Sequence, residues 1–367
     1  MRKGQALREK RIRLIGMLVV IMVFLGTGCE NAPEEVTEIP STTATGSLGE
    51  EDWLKVFFTE PTAEYAASYR GGPDSQLAEA IRGARLTVEA AIYNMNLWSV
   101  RNALMDAHAR GVIVRVVTDS DNIEGEEFQD LIKAGIAVIG DRHEGSMHNK
   151  FVVIDRAEVW TGSMNFTLNG AYEDNNNLLV IQSKEIAENY LVEFNEMFVD
   201  DMFGDESPRN TPHPEVTIGE TVVETYFSPE DLVEGRLVDL ILEAEESIHF
   251  MAYSFTADML SEAIRAVAAS GVNVTGVMEE EQALNNDGSE YEPFLQAALD
   301  IRLDGNDGQM HHKVIIIDEK IVITGSYNFS RNAAEINDEN VIIIHSTGIA
   351  AKYLDEFFGI MERASIP

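Results

Sequence analysis

The sequence has little cysteine and little positive charge. Its 367 residues include one cysteine, and 27 lysines and arginines stand against 63 aspartates and glutamates, for a formal net charge of −36. A single cysteine has no partner for a disulfide within the chain, so a packed core must hold the fold. A surface this acidic repels polyanions, whereas proteins that grip nucleic acid usually present basic patches. Nucleic acid is therefore a disfavoured partner, and the charge is typical of a protein kept soluble in a salty exterior.

Long apolar runs are also scarce, apart from one near the N-terminus. Six lysines and arginines within the first 13 residues precede a 12-residue apolar run, Leu14 to Leu25, which is too short for a comfortable membrane span. Small residues then lead to Cys29. This order resembles a bacterial lipoprotein signal, in which the cysteine is lipidated after cleavage. We therefore expect a signal peptide over residues 1–28 and a lipid anchor at Cys29 that holds the protein to a bacterial membrane outside the cytoplasm. An ordinary secretory signal and an uncleaved anchor are the alternatives, since Leu25 lies four residues before the cysteine rather than three.

Two stretches contain few residues that could build a core. Residues 29–51 are acidic and rich in proline, threonine, serine and glycine, which predicts a disordered tether. Residues 201–220 contain three prolines and are interpreted as a linker between domains. The stretches 52–200 and 221–367 are then the two predicted folded domains.

These two predicted domains are copies of each other. The apolar run over residues 86–93 recurs over 248–253, and the run over 111–117 recurs over 271–277. Such strand-like runs alternate with amphipathic helical patterns, which predicts an α/β fold with a mixed sheet flanked by helices in each copy. Duplication implies an internal pseudo-twofold, so that one chain is a pseudo-dimer and is expected to act as a monomer. The second copy has extra sequence over 279–293, which we expect at one lip of any shared site.

Each copy carries the same polar motif. It reads H-x-K-x-x-x-x-D and then G-S-x-N, with 17 residues from the histidine to the asparagine in both copies. Its residues are His148, Lys150, Asp155, Ser163 and Asn165 in the first copy and His311, Lys313, Asp318, Ser326 and Asn328 in the second. Residues two apart face the same side of a strand, so the histidine and lysine of each copy should point together. The aspartates have the opposite parity and begin turns, which predicts that they shape the turn.

The paired motifs resemble the HKD signatures of the phospholipase D superfamily, and the resemblance extends from residue 53 to about residue 362. It implies that one histidine attacks phosphorus to form a phosphohistidine while the other protonates the leaving alcohol and then activates water or another alcohol. Imidazole chemistry agrees, because the neutral ring is a nucleophile and the protonated ring an acid near pH 7. By analogy with two-copy members, His148 is expected to attack and His311 to be the acid.

The resemblance also implies a role for each motif residue. The catalytic set is His148, Lys150, Asp155, His311, Lys313 and Asp318, and the phosphate-binding set is Asn165, Asn328, Ser163 and Ser326. Lysines and asparagines can stabilise the equatorial oxygens, so neither a metal nor a cofactor is expected. Family members often have a carboxylate eleven residues after the asparagine that orients a histidine. Glu339 stands there in the second copy but Asn176 in the first, so the two histidines are not expected to be equivalent.

Three functions fit these patterns. The first is a phospholipase D or phosphatidyltransferase that cleaves a phospholipid headgroup at a membrane surface. The second is a Nuc-like, metal-independent endonuclease acting on DNA or RNA, which the compact copies favour. The third is a catalytically silent scaffold of the cell envelope. The predicted lipid anchor and the acidic surface favour the first, with phospholipid as the substrate.

Overall fold

The computed structural model describes residues 53–365. The predicted signal peptide, Cys29 and the predicted tether lie outside the described residues. The described residues belong to one compact unit that contains two mixed sheets. None of its helices combines the length and the hydropathy that a membrane crossing requires.

The first copy forms a seven-stranded mixed sheet with the strand order β1-β7-β6-β5-β2-β3-β4. Strands β2, β3 and β4 are parallel, and the other pairs are antiparallel. The elements are β1 (Leu54–Phe58), α1 (Pro73–Gly83), β2 (Thr87–Ile92), α2 (Trp98–Ala109), β3 (Ile113–Thr118), α3 (Glu126–Lys133), β4 (Ala137–Gly140), β5 (Lys150–Ile154), β6 (Glu158–Gly162), α4 (Leu168–Tyr172), β7 (Asn177–Gln182) and α5 (Lys184–Asn195).

The second copy repeats this order in an eight-stranded sheet, β12-β11-β10-β13-β14-β15-β9-β8. Its elements are β8 (Glu215–Ile218), β9 (Thr221–Ser228), α6 (Val233–Leu242), β10 (Ser247–Ala252), α7 (Asp258–Ala269), β11 (Asn273–Met278), α8 (Glu280–Asn285), α9 (Tyr291–Gln296), β12 (Asp300–Leu303), β13 (Lys313–Ile317), β14 (Ile321–Gly325), α10 (Arg331–Glu335), β15 (Glu339–His345) and α11 (Thr347–Met361). The predicted α/β class and duplication are therefore confirmed. The eighth strand, β8, lies inside the stretch 201–220 that the sequence indicated as a linker, because Val216 packs into the core and β8 pairs with β9.

A shared core joins the two sheets. Side chains of α5, α11 and strands from both sheets belong to one buried cluster, so the C-terminal helices of the two copies lie on the inner faces. The ring of Tyr190 in α5 lies 5.2 Å from that of Phe227 in β9, and Phe58 in β1 lies 5.1 Å from Tyr353 in α11. Because the core is built from both copies, we expect the two sheets to unfold together.

Two tyrosines mark the pseudo-twofold within that core. The hydroxyl of Tyr190 donates to Asn340 Oδ1 at 3.2 Å, and the hydroxyl of Tyr353 donates to Asn177 Oδ1 at 3.2 Å. Each bond joins one copy to the other, and all four side chains are buried. A buried amide is costly without partners, so these bonds fix how the copies face each other.

Four carboxyl groups gather beside the contact between the copies. Burial, with neighbouring carboxylates, raises the pKa of Glu193 and of Asp338 well above the usual range. Burial also raises the pKa of Glu196 to about 7 and that of Glu230 to about 8. These groups keep protons in the folded state that the unfolded chain releases above their ordinary pKa values, 4.5 for the glutamates and 3.8 for Asp338. Their contribution to stability is therefore greatest at or below pH 4.5 and is lost as the pH rises toward 8.

Replacing Glu230 by Gln should stabilise the protein at pH 8 and have little effect at pH 4.5, because the amide has no proton to lose. Each pKa unit of the shift that the substitution removes corresponds to about 1.4 kcal/mol of unfolding free energy. A change of this free energy raises the Tm of a large domain by roughly 2–4 °C per kcal/mol. Calorimetric unfolding of wild type and Glu230→Gln from pH 4.5 to 8 measures the difference. The exposed Glu243→Gln is the matched control, and a Glu230→Gln curve parallel to wild type over this range would contradict the prediction.

Candidate active site

Backbone pairing across the two copies places the motifs together. His148 immediately precedes Asn149 and β5, and its N–H donates to the carbonyl of Asp338 in the second copy at 3.0 Å. His311 has the equivalent place before β13, and its N–H donates to the carbonyl of Asn175 in the first copy at 2.9 Å. Each motif is therefore anchored to the segment that leads into the last strand of the other copy. The two histidines come together where the copies meet.

Each histidine ring is held by a side chain of the opposite copy. His148 Nδ1 lies 2.8 Å from Glu339 Oε1, and His311 Nδ1 lies 2.9 Å from Asn176 Oδ1. Glu339 and Asn176 are fully buried. The sequence predicted that Glu339 orients a histidine, and the structure places it on the histidine of the other copy. A bond at Nδ1 leaves Nε2 of each ring as the nitrogen available for chemistry.

In both copies, the residue between the histidine and the lysine also contacts a side chain of the opposite copy. Asn340 Nδ2 donates to Asn149 Oδ1 at 2.8 Å, and Asn177 Nδ2 lies 3.1 Å from His312 Nδ1. Asn340 and Asn177 are the residues that the core tyrosines contact. The shared core and the histidines are therefore linked by one buried polar network.

The serines differ from their prediction. Ser163 Oγ donates to Asn176 Oδ1 at 2.8 Å, and Ser326 Oγ donates to Glu339 Oε2 at 2.5 Å. Both residues have no exposed surface. Each serine donates its only hydroxyl proton to Asn176 or Glu339. The serines therefore position the side chains that contact the histidines and do not line a phosphate subsite.

The aspartates were included in the catalytic set by resemblance, and the structure places them elsewhere. Asp155 follows β5, at the opposite end of that strand from His148, and its Oδ1 accepts from the N–H of Leu86 at 2.6 Å. Asp318 occupies the same place after β13 and accepts from the N–H of Glu246 at 2.7 Å. Both have positive φ, 51° and 52°, a conformation that aspartate tolerates in turns. They tie the turn to the neighbouring strand, as their parity predicts, and do not contact the histidines.

Each lysine lies beside the histidine of its own motif and close to the ring of a tyrosine. Lys150 Nζ donates to the carbonyl of His148 at 2.7 Å and lies 5.0 Å from the ring centre of Tyr93. Lys313 Nζ donates to the carbonyl of His311 at 3.0 Å and lies 4.9 Å from the ring of Tyr253.

The same tyrosines contact the histidines. Ring centres are 4.8 Å apart for Tyr93 and His148 and 4.6 Å apart for Tyr253 and His311. From the sequence, Tyr93 and Tyr253 are interpreted as packing residues in strands, with a pocket position as the alternative. Their recurrence one residue after β2 and β10 was the available signal.

Burial controls the charge of the site. It lowers the pKa of Lys150 to about 7 and that of Lys313 well below the usual range. It also lowers the pKa of both histidines, although Glu339 counteracts the shift at His148. A bound phosphate group would raise the pKa of these lysines and histidines, because it stabilises their charged forms.

Two asparagines face the site without partners. Within the described residues, the Oδ1 atoms of Asn165 and Asn328 are buried and have no hydrogen-bond partner. Leaving these acceptors unpaired costs stability, and a ligand group that donates a hydrogen bond would satisfy them. The role of their amide nitrogens as donors to phosphate oxygens stays a prediction from the motif.

An acidic cleft opens beside Asn165. It has a volume of about 790 Å³ and is lined by both copies, including α8 from the extra sequence at 279–293. Seven carboxylates and no lysine or arginine belong to its described lining: Glu173, Asp174, Glu279, Glu280, Glu281, Asp304 and Asp307. Such walls repel a polyanion and accept a neutral or cationic group.

The fold and the site define a duplicated α/β protein whose two copies share one paired-histidine centre. A family model described as "Cardiolipin synthase, PLD-like domain" matches residues 77–198 and 237–361, which is more than half of the chain. This protein therefore belongs to the phospholipase D-like family, as the motifs predicted.

Individual relatives cover part of the chain. It is 37% identical over 136 residues to a phospholipase D of Rickettsia prowazekii, a match that spans 37% of this chain and 66% of that protein. It is 34% identical over 130 residues to the mitochondrial cardiolipin hydrolase of Mus musculus, spanning 35% of this chain and 58% of that protein. A phosphatidylserine synthase of Haemophilus influenzae shares the fold, with a TM-score of 0.64 and 16% identity over 85% of this chain and 87% of that one.

Binding of orthovanadate at pH 8 should be accompanied by proton uptake, because the anion raises the pKa of Lys150 from about 7. Between about one and two protons per anion are expected, since Lys313 responds in the same way. Titration calorimetry in two buffers of different ionisation enthalpy measures this number. Lys150→Met should reduce the uptake while the exposed Lys320→Met leaves it unchanged. Equal heats in both buffers would contradict the prediction.

Proposed function

We propose that this protein is a phosphodiesterase of the phospholipase D type that hydrolyses or transfers a phospholipid headgroup through a phosphohistidine. The observation that carries the proposal is the reciprocal hold on the histidines: Glu339 on His148 and Asn176 on His311, each from the opposite copy. This hold leaves two imidazole Nε2 atoms for one substrate. One attacks phosphorus, and the other gives a proton to the leaving oxygen.

The lysines and the unpaired asparagines are the groups that would bind the phosphate. A lysine beside each histidine can neutralise the equatorial oxygens, and Asn165 and Asn328 can donate hydrogen bonds to them. In the second step the histidine that gave up its proton takes one from water or an acceptor alcohol, which attacks phosphorus and releases the other histidine. Since one chain supplies both histidines, we propose that a monomer suffices.

Phospholipid is the substrate that the charges favour. The acidic cleft and the net charge of −36 disfavour a nucleic-acid backbone, which carries a negative charge at each nucleotide. Among the relatives, one is named a phospholipase D and another a cardiolipin hydrolase, and both names denote phospholipid cleavage. A nuclease remains the alternative outcome of the test.

The purified full-length protein should release headgroups from phospholipid vesicles in the presence of EDTA and leave plasmid and single-stranded DNA intact. Vesicles of phosphatidylcholine, phosphatidylglycerol and cardiolipin, assayed separately, identify the headgroup. His148→Ala and His311→Ala should each reduce phospholipid turnover by about 10³-fold or more. His108→Ala, outside the site, is the control. Cleavage of DNA without headgroup release would replace this proposal by the nuclease.

We also propose that the protein is lipidated at Cys29 and held outside the cytoplasm on a bacterial membrane. The proposal is supported by the basic, apolar and small-residue order of the first 29 residues. Cys29→Ser should move the protein from the membrane to the soluble fraction and abolish labelling by a radioactive fatty acid in bacterial cells. Membrane retention of the unlabelled variant would contradict lipid anchoring.

A further inference from the structure

The two histidines of the site are held by chemically different groups. His148 Nδ1 contacts a carboxylate, Glu339, at 2.8 Å, whereas His311 Nδ1 contacts a neutral amide, Asn176, at 2.9 Å. A carboxylate stabilises an imidazolium through charge as well as a hydrogen bond, and an amide oxygen supplies the hydrogen bond alone. If the pair holds one proton between the two Nε2 atoms, that proton resides on His148.

The lysines strengthen this difference. Lys313 Nζ lies 3.2 Å from His311 Nε2 and donates to the same residue's carbonyl, while Lys150 Nζ bonds only the carbonyl of His148. An amine directed at His311 Nε2 opposes a proton on that nitrogen. With Nδ1 directed at the oxygen of Asn176, this contact gives His311 Nε2 a lone pair that accepts from Lys313, and this lone pair is the one that would attack phosphorus.

The charged groups that face the rings act differently on the two histidines. Burial lowers the pKa of His311 well below its usual value, and Lys313, Lys150, His148 and His312 all lower it further. Burial and both lysines also lower the pKa of His148, but the Glu339 carboxylate raises it. The neutral tyrosines Tyr93 and Tyr253 add no charge. The two rings therefore differ in basicity in the direction that their partners indicate.

We propose that His311 is the attacking nucleophile and His148 the proton donor, with Glu339 and Asn176 as the positioning residues that assign these roles. The inference rests on the proposed function and reverses the order expected by analogy. His311 Nε2 forms a bond to phosphorus as the bond from phosphorus to the leaving oxygen breaks, and that oxygen takes the proton of His148 Nε2. His148 then takes a proton from water, the resulting hydroxide attacks phosphorus, and the electron pair of the P–N bond returns to His311.

The assignment also suits the second step. A less basic nitrogen is the better leaving group, so phosphorylated His311 is released readily. His148, deprotonated by the first step and next to Glu339, is the stronger base for activating water. The same difference in basicity therefore serves both halves of the reaction.

A substrate with a weakly basic leaving group separates the two roles. Bis(p-nitrophenyl) phosphate needs no proton donor, so His148→Ala should release a burst of about one p-nitrophenolate per protein and accumulate phosphorylated His311. His311→Ala should give neither. Alkaline quenching and peptide mapping by mass spectrometry locate the phosphoryl group. A phosphoryl group on residue 148 of the His311→Ala variant would overturn the assignment and leave the phosphodiesterase itself standing.

Exchanging the hydrogen-bond partners of the two histidines tests whether these partners determine which histidine is the nucleophile. The double variant Asn176→Asp with Glu339→Gln gives the carboxylate to His311 and the amide to His148, so the trapped phosphoryl group should move to His148. Glu339→Asp, which keeps the charge, should leave it on His311. A phosphoryl group that stays on His311 in the double variant would refute control by these partners. Absence of any phosphoenzyme or turnover in wild type would instead refute the proposed function, and the inference with it.

Discussion

The geometry of the site depends on reciprocal hydrogen bonds, in which each copy supplies the partner of the histidine in the other copy. Each imidazole belongs to one copy, and the group that fixes its tautomer and direction belongs to the other, at 2.8 Å for Glu339 and 2.9 Å for Asn176. Neither copy alone has an oriented histidine. The shared core, with its buried tyrosine-to-asparagine bonds, therefore helps to determine the geometry of the candidate active site, because it holds the two copies against each other.

This arrangement buries polar groups in the protein interior, where they reduce the stability of the fold. Lys150 and Lys313 are buried beside a buried His311 and a partly buried His148, and two asparagine side-chain oxygens have no partner in the described residues. Such groups oppose folding unless a ligand joins them. The four apolar residues that follow each lysine, 151–154 in β5 and 314–317 in β13, offset that cost by packing on both faces of the sheets. Costs of this kind are expected where function competes with stability.

The duplicated α/β fold was predictable because apolar periodicity and a repeated motif are properties of the sequence itself. The turn position of Asp155 and Asp318 also followed, since strand parity is local. The serines were misjudged, because a hydroxyl next to a glycine at a strand end looks the same whether it faces a phosphate or the group beneath it. The edge strand β8 was taken for a linker because the prolines before it dominate the pattern. The cross-copy pairing of Glu339 with His148 could not be derived, because it depends on how the two sheets dock.

Duplication within one chain permits something that a symmetric dimer cannot have. In a dimer of identical subunits, both histidines would receive the same partner, and the single catalytic proton would be shared equally between them. Half of the population would then have the donor and the nucleophile exchanged. Here Asn176 replaces a carboxylate in one copy only, so the proton has one preferred ring and the phosphoryl group has one preferred nitrogen. Because the neutral amide of Asn176 does not stabilise a positive charge, the two copies are proposed to have different roles in the reaction.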